Sequence, residues 1–169
     1  ITTIGATLWL ERAGLRLSAA VLGAVLWGFG GALPSLAYVA NHLQSIAWLP
    51  WVLWGWTSGA TASHRIQRSS FFLSLAILAG SPEMAVFCGL GLLLWARRPV
   101  ALLVWPLAVG LAAVQLVPFC LYLIETVRGQ EGLQLATVLR YSTSWPQLRQ
   151  IVLAGPWEGS EPVLRSVYL

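Results

Sequence analysis

Long apolar runs separated by brief polar interruptions set the organisation of this chain. Residues 1–10 are largely apolar and are closed by Glu11, Arg12 and Arg16. Residues 17–33 form the next run, ended by Pro34, and residues 38–56 another, with Asn41, His42 and Gln44 near its start. Residues 57–70 are a polar stretch holding His64, Arg65 and Arg68. Residues 71–79 and 84–96 are apolar around Gly80-Ser81-Pro82-Glu83, and Arg97 and Arg98 follow. The last long run, 99–124, contains Pro106, Gln115 and Pro118. Apolar runs of this kind, with no strand-like alternation, predict helices, and their number predicts several spans of a bilayer. Pro50 is expected to kink its run, because it lacks the N–H and crowds the preceding turn. The tryptophans at 48, 51, 54 and 56 suit an interface belt.

The Gly80–Glu83 interruption allows either one kinked span over 71–96 or a hairpin of two short ones. Arginine placement chooses the hairpin. With Arg12 and Arg16 on the cytoplasmic side, a hairpin returns Arg65/Arg68 and Arg97/Arg98 to that side, as the positive-inside rule prefers. Each arm is then shorter than the roughly 20 residues a bilayer favours, and snorkelling arginines and local thinning make up the difference. Asn41, His42, Ser81 and Glu83 fall on the other face. Everything after Glu125 is polar enough to leave the bilayer. Ser144 reads there as a helix N-cap, and Gly155-Pro156-Trp157 as a turn.

Composition agrees with a membrane protein. The 169 residues are 57% hydrophobic and only 9% charged, with a mean hydropathy of +0.73. A soluble domain carries about 25% charged residues, so a soluble enzyme, a disordered tail and a disulfide-stapled module are excluded. All ten basic residues are Arg and all six acidic ones Glu. They lie singly or in pairs between apolar runs, which argues against a nucleic-acid partner. Cys88 and Cys120 sit inside apolar runs and are expected as small buried hydrophobes rather than a disulfide. The chain opens at Ile1 inside an apolar run, and we read it as a piece of a longer polytopic protein.

Little in the sequence carries chemistry. No phosphate loop, dinucleotide fingerprint, zinc spacing or nucleophile elbow is present, so no cofactor and no metal site is identified. The row Ala20, Ala24, Gly28, Ala32, at steps of four, predicts close approach of a neighbouring helix. Gln115 is expected as a buried amide bonded to another helix. Three polar features near outer helix ends remain. Asn41-His42 either hydrates the interface or lines an outward-facing cavity. Glu83 either complements the dipole of the helix that Pro82 begins or sits at a substrate groove. Glu125 and Arg128 form a local i, i+3 pair, or Arg128 holds a lipid-linked phosphate. Convergence of His42, Asn41, Glu83 and Arg128 on one substrate-binding cavity is the expectation to test.

The order of these pieces resembles the YfhO-type members of the GT-C glycosyltransferase-like group of bacterial membrane proteins. The resemblance rests on Leu10-Glu11-Arg12-Ala13-Gly14-Leu15-Arg16, on Gly28-Phe29-Gly30-Gly31-Ala32, and on His42-Leu43 followed by Ala47-Trp48-Leu49-Pro50. It continues through Leu78-Ala79-Gly80-Ser81-Pro82-Glu83, where Ser81 and Glu83 stand at the family's His and Gln. Gln115-Leu116-Val117-Pro118 and the segment from Tyr141-Ser142 through Gln147-Leu148 to Gly155-Pro156 complete it. The resemblance implies sugar transfer from a polyprenyl-phosphate carrier on the extracytoplasmic face. The group's catalytic acid is usually an Asp in the first external loop. This chain has no Asp, so no catalytic residue is carried over.

The sequence therefore predicts an all-α integral membrane protein of the bacterial cytoplasmic (inner) membrane. It is a polytopic helical bundle of about five to six transmembrane helices, some short or kinked, over 1–125. An extracytoplasmic amphipathic interfacial tail covers 126–169. Its expected partners are membrane lipids, a polyprenyl-phosphate-linked sugar and other membrane subunits. The alternative to a GT-C-like envelope glycosyltransferase is a non-catalytic structural subunit of a respiratory or photosynthetic membrane complex. Transport ranks behind both, since it calls for ionisable groups deep within spans.

Overall fold

A computed structural model of the chain describes residues 1–30, 33 and 39–125. Every regular element among them is helical. Helices α1 (Thr2–Arg12) and α2 (Leu17–Phe29) form a first pair. Helices α3 (Ala40–Ile46) and α4 (Leu49–Ser58) follow each other closely, and α5 (Ala62–Leu78) and α6 (Pro82–Ala96) flank the Gly80 turn. A 3-10 turn, Pro99–Leu103, leads into α7 (Val104–Leu111), and α8 (Ala113–Glu125) comes last. The chain divides into two compact units, Ile1–Phe119 and Cys120–Leu169. Of the second, Cys120–Glu125 are described. Ala32, Arg128 and the tail expected over 126–169 lie outside the described residues.

Helix α5 is the middle of the first unit. Thr61 is extended and its side chain accepts the His64 N–H at 3.3 Å, which satisfies one of the amides a helix start leaves over. The helix thus begins inside the polar stretch 57–70. It ends at Gly80, whose φ of +93° reverses the chain where a side chain would be strained. Pro82 then opens α6, where a missing N–H costs nothing. Leu73, Ala76 and Ile77 of α5 are buried, the i, i+3, i+4 spacing of one helix face. They meet Val52 and Trp56 of α4, Cys88 and Leu92 of α6, and Val104 and Ala108 of α7.

Two neighbouring hydroxyls tie α5 to two different helices. Ser69 Oγ donates to the Val52 carbonyl at 3.0 Å, and Ser70 Oγ to the Val104 carbonyl at 3.1 Å. Glycines let the backbones come this close. A Cβ on Gly55 would stand 3.0 Å from the Arg68 backbone, and one on Gly89 would collide with the Trp105 ring. In the first pair, Ala20 and Ala24 are buried, and a Cβ on Gly28 would lie 2.6 Å from the Thr3 methyl. That row of α2 packs on α1, while Leu22, Leu26 and Phe29 of the same helix are exposed.

Several runs differ from their sequence reading. Where the sequence predicts one kinked helix over 38–56, the described residues hold two, α3 and α4. Trp48 N–H bonds to Ser45 O, which tightens and ends α3, and Pro50 sits in the first turn of α4, where it starts a helix rather than bending one. Pro99–Leu111 and Ala113–Leu123 are bent by 74° at Ala112. No single helix among the described residues is long and apolar enough to cross a membrane by itself, although that bent pair passes the test jointly. Trp48, Trp51 and Trp54 gather around Phe72, whereas Trp56 is in the core. Gln115 is exposed on α8 instead of buried. Cys88 is buried, Cys120 exposed, and both are free thiols.

The contacts sort the helix ends. Trp27 Nε1 donates to Thr2 Oγ1, so α1 and α2 are antiparallel. Trp9 packs edge-on against Trp95 at 5.1 Å, which sets the Arg12 end of α1 beside the Arg97 end of α6. Arg65 Nε donates to Gly59 O at 2.8 Å and Arg68 to Ser58 O at 3.3 Å. Arg65 and Arg98 line one cavity. All six described arginines therefore lie at one end of the bundle. His42 and Glu83 lie at the other.

Close helix approach generates a prediction. Gly89→Ala forces a methyl into the Trp105 ring and should destabilise by about 1–3 kcal/mol, the usual cost of overpacking. Gly110→Ala meets nothing within 4 Å and should stabilise by up to about 1 kcal/mol through helix propensity. Thermal unfolding in detergent reads both; equal midpoints would mean that α6 and α7 are not in contact at Gly89.

Candidate functional site

The polar cluster at the Glu83 end is built by the start of α3 and the α5–α6 turn. Asn41 Nδ2 donates to Gly80 O at 3.2 Å, and Asn41 Oδ1 accepts the His42 N–H at 3.1 Å. This fixes the first turn of α3 against the glycine. His42 Nε2 and Glu83 Oε1 then stand 2.5 Å apart. One turn deeper, Ser45 Oγ accepts the Ser81 N–H at 3.2 Å, and Ser45 O takes the Cys88 thiol at 3.7 Å. The ladder of polar contacts runs from surface to core along one face of α3, since Asn41 and His42 stand four and three residues before Ser45.

The electrostatics are those of a half-open surface pair. The His42 side chain is 23% exposed and that of Glu83 52%. Burial pushes the Glu83 carboxyl up. Hydrogen bonds from its own backbone N–H, from His42 and from Ser81, with the charge of His42, outweigh burial and hold it below its ordinary value. The Ser81 hydroxyl is buried and falls short of full hydrogen-bond geometry; its influence on the carboxyl ranks below those of the Glu83 backbone and of the His42 hydrogen bond, and above that of the His42 charge. Glu83 also stands in the first turn of α6, where the helix dipole favours a negative charge.

Of the sequence-predicted residues, Asn41, His42 and Glu83 are brought together, while Arg128 lies outside the described residues. Sequence reasoning missed Ser45 and the Ser81 amide. Ser45 had a signal: it follows Asn41 by four and shares its helix face. Chemically, an imidazole and a carboxylate in contact can pass a proton, yet among the described residues no nucleophilic side chain with a free approach stands beside them. No group of three His, Cys, Asp or Glu side chains suited to a metal occurs among the described residues. Compared with protein-family models, curated proteins and solved structures, the chain matches nothing.

The His42–Glu83 contact should be worth no more than about 1 kcal/mol, as for other exposed pairs; a double-mutant cycle of His42→Ala and Glu83→Gln measures it. A depressed carboxyl pKa also fixes the sign of the pH dependence. The Glu83 contribution is complete above the unfolded carboxylate value of about 4.3 and is lost as pH falls through the lower folded value. Glu83→Gln should remove that acid-side loss, and an unchanged acid profile would show that Glu83 carries no such linkage.

Proposed function

We propose that the chain is a membrane-embedded helical bundle of the bacterial cytoplasmic membrane, its arginine end cytoplasmic and its His42–Glu83 end extracytoplasmic. The observation that carries this is the segregation of Arg12, Arg16, Arg65, Arg68, Arg97 and Arg98 at one end of a bundle with apolar flanks. Leu26 and Leu94 are 63% and 78% exposed, and large apolar faces in water invite association. The helices are short: α5, with 17 residues, is about 25 Å long, against roughly 30 Å of hydrocarbon. Arginine snorkelling and local thinning close that gap at modest cost.

Within that frame, the resemblance to the GT-C group makes the chain part of an envelope protein that transfers sugar from a polyprenyl-phosphate carrier at the His42 end. Among the described residues, the His42–Glu83 pair with Asn41 beside it is the polar group that could meet substrate there. A second reading, a structural subunit of a larger membrane complex, is supported by the exposed apolar flanks of α2 and α6, which suit a protein neighbour as well as lipid. Glycosyl transfer from a polyprenyl-phosphate donor by membranes holding the protein, reduced by His42→Ala, favours the first. Co-purifying subunits with no transfer favour the second.

Topology is tested with Glu83→Cys and Arg97→Cys in a Cys120→Ser background. A membrane-impermeant maleimide should label position 83 in intact cells and position 97 only after permeabilisation. Labelling of both from one side would sink the orientation.

A further inference from the structure

At the arginine end, opposite the His42–Glu83 cluster, Trp56, Ala60, Ala62, Arg65, Arg98 and Val100 line a cavity of about 160 Å³. That is several times the ~10–15 Å³ one water requires. Trp56 is 5% exposed and forms an apolar floor. Arg98 is an exposed residue of the lining. The Arg65 guanidinium is fixed by its Nε bond to Gly59 O, and its Nη groups make no hydrogen bond among the described residues. Arg98 likewise has no hydrogen-bond or ion-pair partner among them. Among the described residues, no carboxylate lines the cavity.

Two guanidiniums facing one small space repel each other unless an anion lies between them. Guanidinium presents paired N–H donors in a plane, which match two oxygens of a phosphate. The apolar floor and Val100 keep the site from being a plain hydrated surface. We propose that this cavity binds a phosphate group, held between Arg65 and Arg98. Its source is the phosphodiester of an anionic membrane lipid, where arginines meet the negatively charged leaflet. The choice of a lipid rests on the membrane reading above; the phosphate chemistry rests on the cavity alone.

The full chain, purified in detergent, is titrated with short-chain phosphatidylglycerol, with phosphatidylcholine and with inorganic phosphate. Thermal shift and native mass spectrometry follow binding. Phosphatidylglycerol should raise the melting midpoint and remain bound in the gas phase, and phosphatidylcholine should do so weakly. Arg98→Gln should raise the unliganded midpoint slightly, by relief of the guanidinium repulsion, and weaken phosphatidylglycerol binding about tenfold, the loss of a charge-assisted contact. Arg98→Lys should retain part of it. Arg12→Gln, at the same end but outside the cavity, should bind as the parent does. Binding of inorganic phosphate, but not of the lipid, with the same Arg98 dependence would keep the phosphate site and overturn the lipid source. No binding of either ligand, or equal losses in Arg98→Gln and Arg12→Gln, would overturn the site. The maleimide experiment reads the membrane orientation independently of all three ligands.

Discussion

Ser69 and Ser70 are adjacent on α5, so their hydroxyls point about 100° apart around the helix, and each finds the carbonyl of a different neighbour. Three helices are thereby held at fixed depth to one another. Such polar pins matter most where the outside of a bundle is as apolar as its inside. Burying a leucine then gains little over leaving it on the flank, and packing has to be specified by close backbone approach and by hydrogen bonds. Each bond is modest, about 0.6 kcal/mol on average in membrane helices. They act together with Gly55 and Gly89, whose missing side chains permit the approach.

The same logic extends to the two ends. Ser45 joins α3 to the Ser81 amide, and Asn41 joins it to Gly80, so the α5–α6 turn is clasped by the start of α3. At the other end Arg65 and Arg68 reach back to the carbonyls of Gly59 and Ser58. Those arginines satisfy groups that the end of α4 leaves without partners. The polar residues of the chain are few, and a good share of the described ones serve to join helix to helix.

Much of this was legible from residue order, and the rest was not for identifiable reasons. The turn at Gly80-Ser81-Pro82 was readable because a positive-φ glycine and a helix-starting proline leave a local signature. The α2 row was readable because its small residues repeat at the helical period. Pro50 misled: proline is as much at home in a first turn as at a kink, and only the tertiary setting of Trp48 and Leu49 decides. The bend at Ala112 has neither glycine nor proline at the break itself. The Ser69 and Ser70 links were hidden because a serine's partner lies 17 and 34 residues away, and locally the stretch shows only its polarity. At the candidate site His42 and Glu83 could be placed at one end by arginine bookkeeping, but their direct contact is a matter of helix rotation, which no periodicity specifies.

The central claim is that the exposed flanks of α2 and α6 face lipid. Spin labels at Leu26 and Leu94, compared with labels at the buried Ala24 and Leu92, test it directly in reconstituted bilayers. The account predicts that the Leu26 and Leu94 labels collide freely with dissolved oxygen and hardly at all with a water-soluble nickel complex, while the buried pair meets neither. Ready access of the nickel complex to Leu26 and Leu94 would place those flanks in water and contradict it.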